Sequence, residues 1–225
     1  MIGGIVHSQL GVTLLGGGQS SASDVNEALT IAPVLVAADG GADRALALGH
    51  MPRAVIGDFD SISDEARGVI APDRLHPIPE QDSTDFGKCL AHVRAPFYLA
   101  LGFAGRRLDH TLSAFATLAA CPAQRVVMIG DDDVVFLAPP DLELDLPGGT
   151  RLSLFPMGPV EGASVGLRWP IDGIAFAPSG RIGTSNEVTG PVRLSLAGPM
   201  LVLVPRFCLR PALHGLGVRP DVHGE

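Results

Sequence analysis

The chain has 225 residues, 46% of them hydrophobic, with 24 acidic against 16 basic side chains, a net charge of -8 and a mean hydropathy of +0.31. That length buries a proper core as one large domain or two modest ones, that composition excludes a disordered chain, and that acidity disfavours a broad surface for a nucleic-acid backbone. Three widely spaced cysteines, Cys89, Cys121 and Cys208, have no CxxC spacing, so they read as reduced thiols and not as a disulfide framework or zinc site.

In chain order, residues 11–15 read as a strand, 23–30 as a helix, 34–38 as a strand, 42–49 as a helix and 54–56 as a strand. Residues 84–93, 97–101, 109–119 and 125–129 continue as helix, strand, helix and strand. The alternation predicts an α/β domain over residues 1–131 with a mainly parallel sheet, and such sheets bind ligands outside the carboxyl ends of their strands. Every acidic or glycine-rich motif of this half falls at one of those ends.

The first is Leu15-Gly16-Gly17-Gly18, ahead of a helix opened by serines. Glycines there let backbone N–H groups approach phosphate, although the same run also serves as a tight turn, and no Gly-Lys-Ser/Thr follows to make a Walker motif. The second, Ala38-Asp39-Gly40-Gly41, offers Asp39 either to a ribose hydroxyl or as a helix cap. The third, Ile56-Gly57-Asp58-Phe59-Asp60-Ser61, sets two carboxylates one residue apart after a short apolar strand. Alternate residues of an extended segment face the same way, so Asp58 and Asp60 project together. They form either an acidic capping loop or an oxygen site for a cation such as Mg²⁺ carrying phosphates.

Gln81-Asp82-Ser83-Thr84-Asp85-Phe86-Gly87-Lys88 reads as a capped helix start with Asp85 and Lys88 on one face. That pair is a surface ion pair, or else Lys88 neutralises polyphosphate and Asp82 or Asp85 adds a metal ligand. Leu101 to His110 ends another strand with a turn carrying Arg106 and Arg107, whose guanidinium geometry suits phosphate, while Asp109 orients Arg107, joins the metal cluster or caps the helix.

After Asp131 the helical period disappears and short apolar runs alternate with Gly and Pro turns. This predicts an all-β antiparallel sandwich over residues 132–207, followed by an irregular tail over 208–225. Within it, Trp169 is expected to fill a core, with stacking on a flat cationic ligand as the alternative; Thr184, Ser185 and Asn186 are expected in a small polar loop. No apolar run reaches the roughly 20 residues a spanning helix needs, and Met1 to Gln9 carry no Lys or Arg, so a cytoplasmic location without membrane association is expected.

The ordered set of motifs, from Asp39-Gly40-Gly41 through Gly57-Asp58-Phe59-Asp60-Ser61, Gln81 to Lys88, Gly105 with Arg107-Leu108-Asp109-His110-Thr111, Gly166-Leu167-Arg168-Trp169-Pro170 and Thr184-Ser185-Asn186, resembles the thiamine pyrophosphokinase family. The resemblance implies an α/β nucleotide domain followed by a β-sandwich, in a homodimer whose active site lies at the subunit interface. It implies transfer of a pyrophosphoryl group from ATP to thiamine, with Mg²⁺, giving thiamine diphosphate and AMP. Carried over by motif, Asp58, Asp60, Asp85 and Asp109 are catalytic, the first three as metal ligands. Gly17, Asp39, Gly40, Gly41, Gln81, Thr84, Lys88 and Arg107 serve the nucleotide, and Trp169, Thr184, Ser185 and Asn186 hold thiamine. Two departures stand out: Arg106 where the family has Gly in a Gly-Gly-Arg turn, and Gly183 where it has Ser. The rival functions are pyrophosphoryl transfer to a pterin-type alcohol and non-catalytic binding of nucleotide or thiamine.

Overall fold

The computed structural model describes residues 4–105 and 107–219. Arg106 and the last residues of the expected tail, 220–225, lie outside the described residues. The chain divides into two compact units, the first running to Thr117 and the second from Leu118 to Arg219.

The first unit contains β1 (Val6–His7), β2 (Val12–Leu15), α1 (Ala22–Ile31), β3 (Val34–Ala38), α2 (Gly41–Ala47), β4 (Ala54–Gly57), α3 (Asp64–Val69), β5 (Leu75–Pro77), α4 (Asp85–His92), β6 (Val93–Arg94) and β7 (Tyr98–Leu101), and it ends within α5 (Leu108–Ala120). Strands β7, β2, β3, β4 and β5 pair in that order and all in parallel, while β1 pairs in parallel with β6. All four residues of β2, β4 and β7 are buried, as expected of strands covered on both faces, which is why they read as unbroken apolar runs. Ala37, Ala42, Val55, Ile62, Ala66 and Ile70 form a core under one end of the sheet, with Phe59 packed against it.

Helix α1 shows how local chemistry sets an element's start. Ser21 Oγ accepts from the Asp24 backbone N–H at 3.1 Å, and Asp24 returns a carboxylate to the Ser21 N–H at 3.2 Å, a complete capping box. Ser21→Ala is expected to cost about 1 kcal/mol in urea unfolding with no change in the unfolding slope.

The second unit contains β8 (Val126–Ile129), β9 (Asp133–Leu137), β10 (Asp141–Leu144), β11 (Arg151–Pro156), β12 (Glu161–Leu167), β13 (Gly183–Ala197), β14 (Met200–Pro205) and α6 (Leu209–Gly215). Strands β8, β9, β14, β11, β13 and β10 pair in that order, and β12 adds to β13; these strand pairings are antiparallel. Burial alternates along β10 and along Val192, Leu194 and Leu196 of β13, the period of a half-buried strand.

Three features depart from the sequence reading. The compact units divide between Thr117 and Leu118, within α5 and ahead of Asp131, so that β8, which pairs antiparallel with β9, falls in the second unit. The segment expected to be an irregular tail from residue 208 follows directly on a 3₁₀ turn over Arg206–Cys208 and holds α6, whose Leu209, Ala212 and Leu213 are buried at helical spacing; Pro211 in the first turn disguises the helix without breaking it. Thr184, Ser185 and Asn186 lie in strand β13, not in a loop. Asn186 pairs with Leu152 and Gly183 with Leu154, so two residues, Thr184 and Ser185, oppose the single Ser153 in a β-bulge.

Candidate functional site

The carboxyl ends of β2, β3, β4 and β7 bring the glycine and aspartate motifs together because parallel neighbours end side by side. A Cβ on Gly41 would lie 2.0 Å from the Leu15 carbonyl oxygen, so only glycine lets the start of α2 close on the end of β2. A Cβ on Gly57 would lie 2.7 Å from Asp39 Cβ and 3.1 Å from Asp85 Oδ1. Gly57 is therefore the gap through which two carboxylates on different loops approach each other. Gly17 is exposed, with Gly40 as the nearest backbone beside it.

Asp39, Asp58 and Asp60 each present an oxygen, and these atoms lie within 4.8 Å of one another. Asp39 is 2% exposed: its Oδ2 accepts the Ser61 N–H at 3.0 Å, while its buried Oδ1 has no hydrogen-bond partner. Burial, together with the neighbouring Asp60 and Asp85 carboxylates, pushes the Asp39 pKa up to about 6, opposed by the Ser61 N–H. Ser61 Oγ donates to Asp60 Oδ1 at 2.7 Å, and the Asp60 N–H reaches Asp58 Oδ1 at 3.3 Å.

Lys88 is the counter-charge. Its side chain is 2% exposed, and its Nζ lies 3.6 Å from Asp58 Oδ2 and 3.4 Å from Asp85 Oδ1. Burial alone would lower the Lys88 pKa, but Asp85 and Asp58 outweigh it and raise it. Gln81 donates from Nε2 to Asp58 Oδ2 at 2.9 Å; that bond first, with the Asp60 N–H and Lys88, holds the Asp58 pKa below the ordinary carboxylate range against burial. Burial raises the Asp85 pKa, with Lys88 opposing.

The set of close carboxylates differs from the expected one. Asp39, read from sequence as a nucleotide or capping residue, stands in the trio; Asp85 does not, and is paired with Lys88 instead. Asp109 is likewise outside the trio: it is exposed and paired through both oxygens with Arg107, at 3.1 and 2.5 Å, which lowers its pKa to about 2. Thr84 acts as the cap of α4, accepting the Gly87 N–H at 3.1 Å. The signal for Asp39 was its place immediately after β3, whose parallel neighbour β4 delivers Asp58 from the adjacent end.

The donor set fits a divalent cation of the Mg²⁺ kind. It is all oxygen, anionic and close enough to share one ion, and it includes a buried oxygen left without a partner.

In the second unit, Trp169 is 55% exposed, against the expectation of a core residue. Arg168 lies over one side of the ring, with its guanidinium carbon 5.2 Å from the centroid and Glu187 paired to it at 3.2 Å. Asn186 fixes the segment, accepting the Trp169 N–H at 3.1 Å through Oδ1 and donating from Nδ2 to the Trp169 carbonyl at 2.7 Å. Ser185 sits at φ 61 in the bulge, its N–H donating to Ser153 Oγ at 2.9 Å, and Thr184 is exposed beside it. Among the described non-glycine residues, positive φ occurs at Asp39, Phe59 and Ser185, all inside motifs singled out from sequence. Such backbone costs energy and concentrates at functional sites.

Comparison with known proteins gives a consistent result. A family model described as thiamin pyrophosphokinase, catalytic domain, matches residues 25–129. A thiamine pyrophosphokinase from Oryza sativa subsp. japonica is 30% identical over 190 residues, covering 68% of this chain and 71% of that protein. One from Caenorhabditis elegans is 29% identical over 174 residues, covering 68% of this chain and 71% of that protein. Among solved structures, thiamin pyrophosphokinase from Candida albicans superposes with a TM-score of 0.77 at 17% identity, covering 89% of this chain and 92% of that one, a likeness of fold.

Proposed function

We infer the chemistry of the site from one premise: the chain belongs to the thiamine pyrophosphokinase family. It is an ATP-dependent thiamine diphosphokinase, transferring a pyrophosphoryl group from ATP to thiamine to give thiamine diphosphate and AMP. The relatives reported above are named as thiamine pyrophosphokinases, which supports thiamine over a pterin-type acceptor and catalysis over binding alone.

The convergence of Asp39, Asp58 and Asp60 within 4.8 Å carries the assignment of the reaction centre. These three hold Mg²⁺, which when bound supplies positive charge against the triphosphate. Lys88, kept protonated by Asp58 and Asp85, adds a fixed cation toward the transferring phosphates, while Gln81 keeps Asp58 ionised and oriented. Asp85, whose pKa burial raises against the opposing Lys88, or Asp58 takes the proton of the acceptor alcohol. The glycines of the loops at Gly17 and at Gly40-Gly41 admit the nucleotide backbone-first, as phosphate sites require. Most of the acceleration is positioning and electrostatics, as for phosphoryl transfer generally. Arg107 and Asp109 neutralise each other and serve the nucleotide only when that exposed pair opens.

The exposed Trp169 face, steadied by Asn186, holds the flat cationic acceptor, with Thr184 and Ser185 at its edge. The nucleotide residues precede Asp131 and the acceptor residues follow it, in a β-sandwich half. Two copies assemble as a homodimer with the active site at the subunit interface, and the enzyme works in the cytoplasm. Among the described residues no helix is long and apolar enough to cross a membrane.

Purified chain incubated with ATP and Mg²⁺ is expected to form AMP with thiamine and none with a pterin alcohol; ADP as the only nucleotide product would refute pyrophosphoryl transfer. Trp169→Ala is expected to raise KM for thiamine about 10-fold with kcat little changed, the size of a desolvated cation–π contact. A fall in kcat at unchanged KM would remove the stacking role.

A further inference from the structure

We propose that Arg67 is a positioning residue that clamps the Asp58-Phe59-Asp60 turn in the backbone shape needed to aim both carboxylates at one cation. The inference rests on the carboxylate site described above. Phe59 sits between the two aspartates at φ 66, a left-handed conformation in which the side chain of an L-residue crowds its own carbonyl. A phenylalanine does not hold that shape unless its surroundings impose it. The ring is half-buried against the core beneath the sheet, which fixes one side of the residue.

Arg67 fixes the other side. It stands in the last turn of α3, and its Nη2 donates to the Phe59 carbonyl oxygen, while its guanidinium carbon lies 5.7 Å from the centroid of the Phe59 ring. One side chain thus holds both the carbonyl and the ring of the strained residue. Among the described residues no carboxylate forms an ion pair with it, and its guanidinium is engaged with the turn through the Phe59 carbonyl and ring. The two carboxylates depend on this hold, since the Asp60 N–H returns to Asp58 Oδ1 and the next N–H, from Ser61, anchors Asp39 Oδ2. If the peptide after Phe59 rotates, all three members of the trio lose their mutual distances. Lysine cannot replace the clamp, because a single ammonium does not span carbonyl and ring with a planar fork.

The test uses the full chain, with Arg67→Met and the double variant Arg67→Met/Phe59→Gly, glycine adopting a positive φ without steric cost. In the metal-free protein, hydrogen exchange of the Asp60 and Ser61 amides is expected to speed up in Arg67→Met while core amides keep their protection. Exchange unchanged at those two amides overturns the clamp, whatever the cation result. The second arm measures Mn²⁺ binding by paramagnetic resonance, with Asp58→Asn as the control for the site itself. Arg67→Met is expected to weaken Mn²⁺ by about 10-fold or more, the scale seen when an outer-shell support of a metal ligand is removed, with part of the loss recovered in the double variant.

Mn²⁺ binding equal in the wild type and Asp58→Asn would refute the carboxylate site while leaving the exchange arm to decide on Arg67. If Arg67→Met instead raised only KM for ATP, with Mn²⁺ affinity unchanged and no recovery in the double variant, Arg67 would be a direct phosphate contact and the positioning role would be overturned.

Discussion

Asp60→Asn is expected to lower kcat by at least about 1000-fold, because it removes one anionic ligand from a site whose cation supplies several kcal/mol of transition-state charge stabilisation. The same substitution is expected to leave the fold as stable as before or slightly more so. Asp60 is exposed, and surface substitutions of this kind usually change stability by within about 0.5 kcal/mol. Without a cation, the Asp60 charge also opposes ionisation of Asp39 and Asp85, so neutralising it relieves repulsion in the resting site. Activity and melting temperature should therefore part company. A variant that loses activity and stability together would make Asp60 a structural residue, and one that keeps near-normal turnover would remove it from the cation site.

That separation explains how much of this molecule could be seen in its sequence. The buried strands of the first unit stood out because parallel strands covered on both faces are continuous apolar runs, and the Gly-Asp motifs stood out because they punctuate the ends of those runs. What sequence spacing could not show was which loops meet. Asp39 and Asp58 are nineteen positions apart and become neighbours because β3 and β4 pair in parallel, while Gly57 leaves room for Asp39 beside Asp85. Asp85, expected as a cation ligand, stands outside the closest trio and shares Lys88 with Asp58, an arrangement that needs the packing of α4 against the sheet and not only its helical spacing. For Trp169 the sequence left a core position and a stacking surface both open; the ring is exposed, with Asn186 holding its backbone and Arg168 over one face, contacts that sequence spacing does not show. Arg67 had no legible signal at all, since nothing in the residues reveals that Phe59 adopts a positive φ.

Lys88→Met is expected to destabilise the protein by roughly 2 to 4 kcal/mol at neutral pH and to lower kcat by about 100-fold or more. The stability estimate starts from the cost of removing one partner of a buried ion pair, reduced because the Asp85 side chain is one-third exposed. Methionine fills much the same space as the lysine stem, so the loss comes from the missing charge and not from a cavity. The catalytic estimate is the scale of losing one fixed electrostatic group from a preorganised site.

The pH dependence separates this account from simple misfolding. Lys88 lowers the pKa of both Asp58 and Asp85; without it, both folded-state values rise, and Asp85 already stands above its ordinary 3.8. A carboxyl whose folded pKa lies above its unfolded one favours the native state when protonated, and that contribution disappears as pH climbs through the folded pKa. The penalty of Lys88→Met should therefore be largest at neutral pH and shrink on acidification through the range where the two aspartates take up protons. Urea unfolding of the wild type and variant at several values from pH 7.5 down to about 4 measures it directly. A penalty that is the same at every pH would mean that the buried ammonium holds the fold through packing alone, and the assignment of Lys88 as the fixed cation between Asp58 and Asp85 would fail.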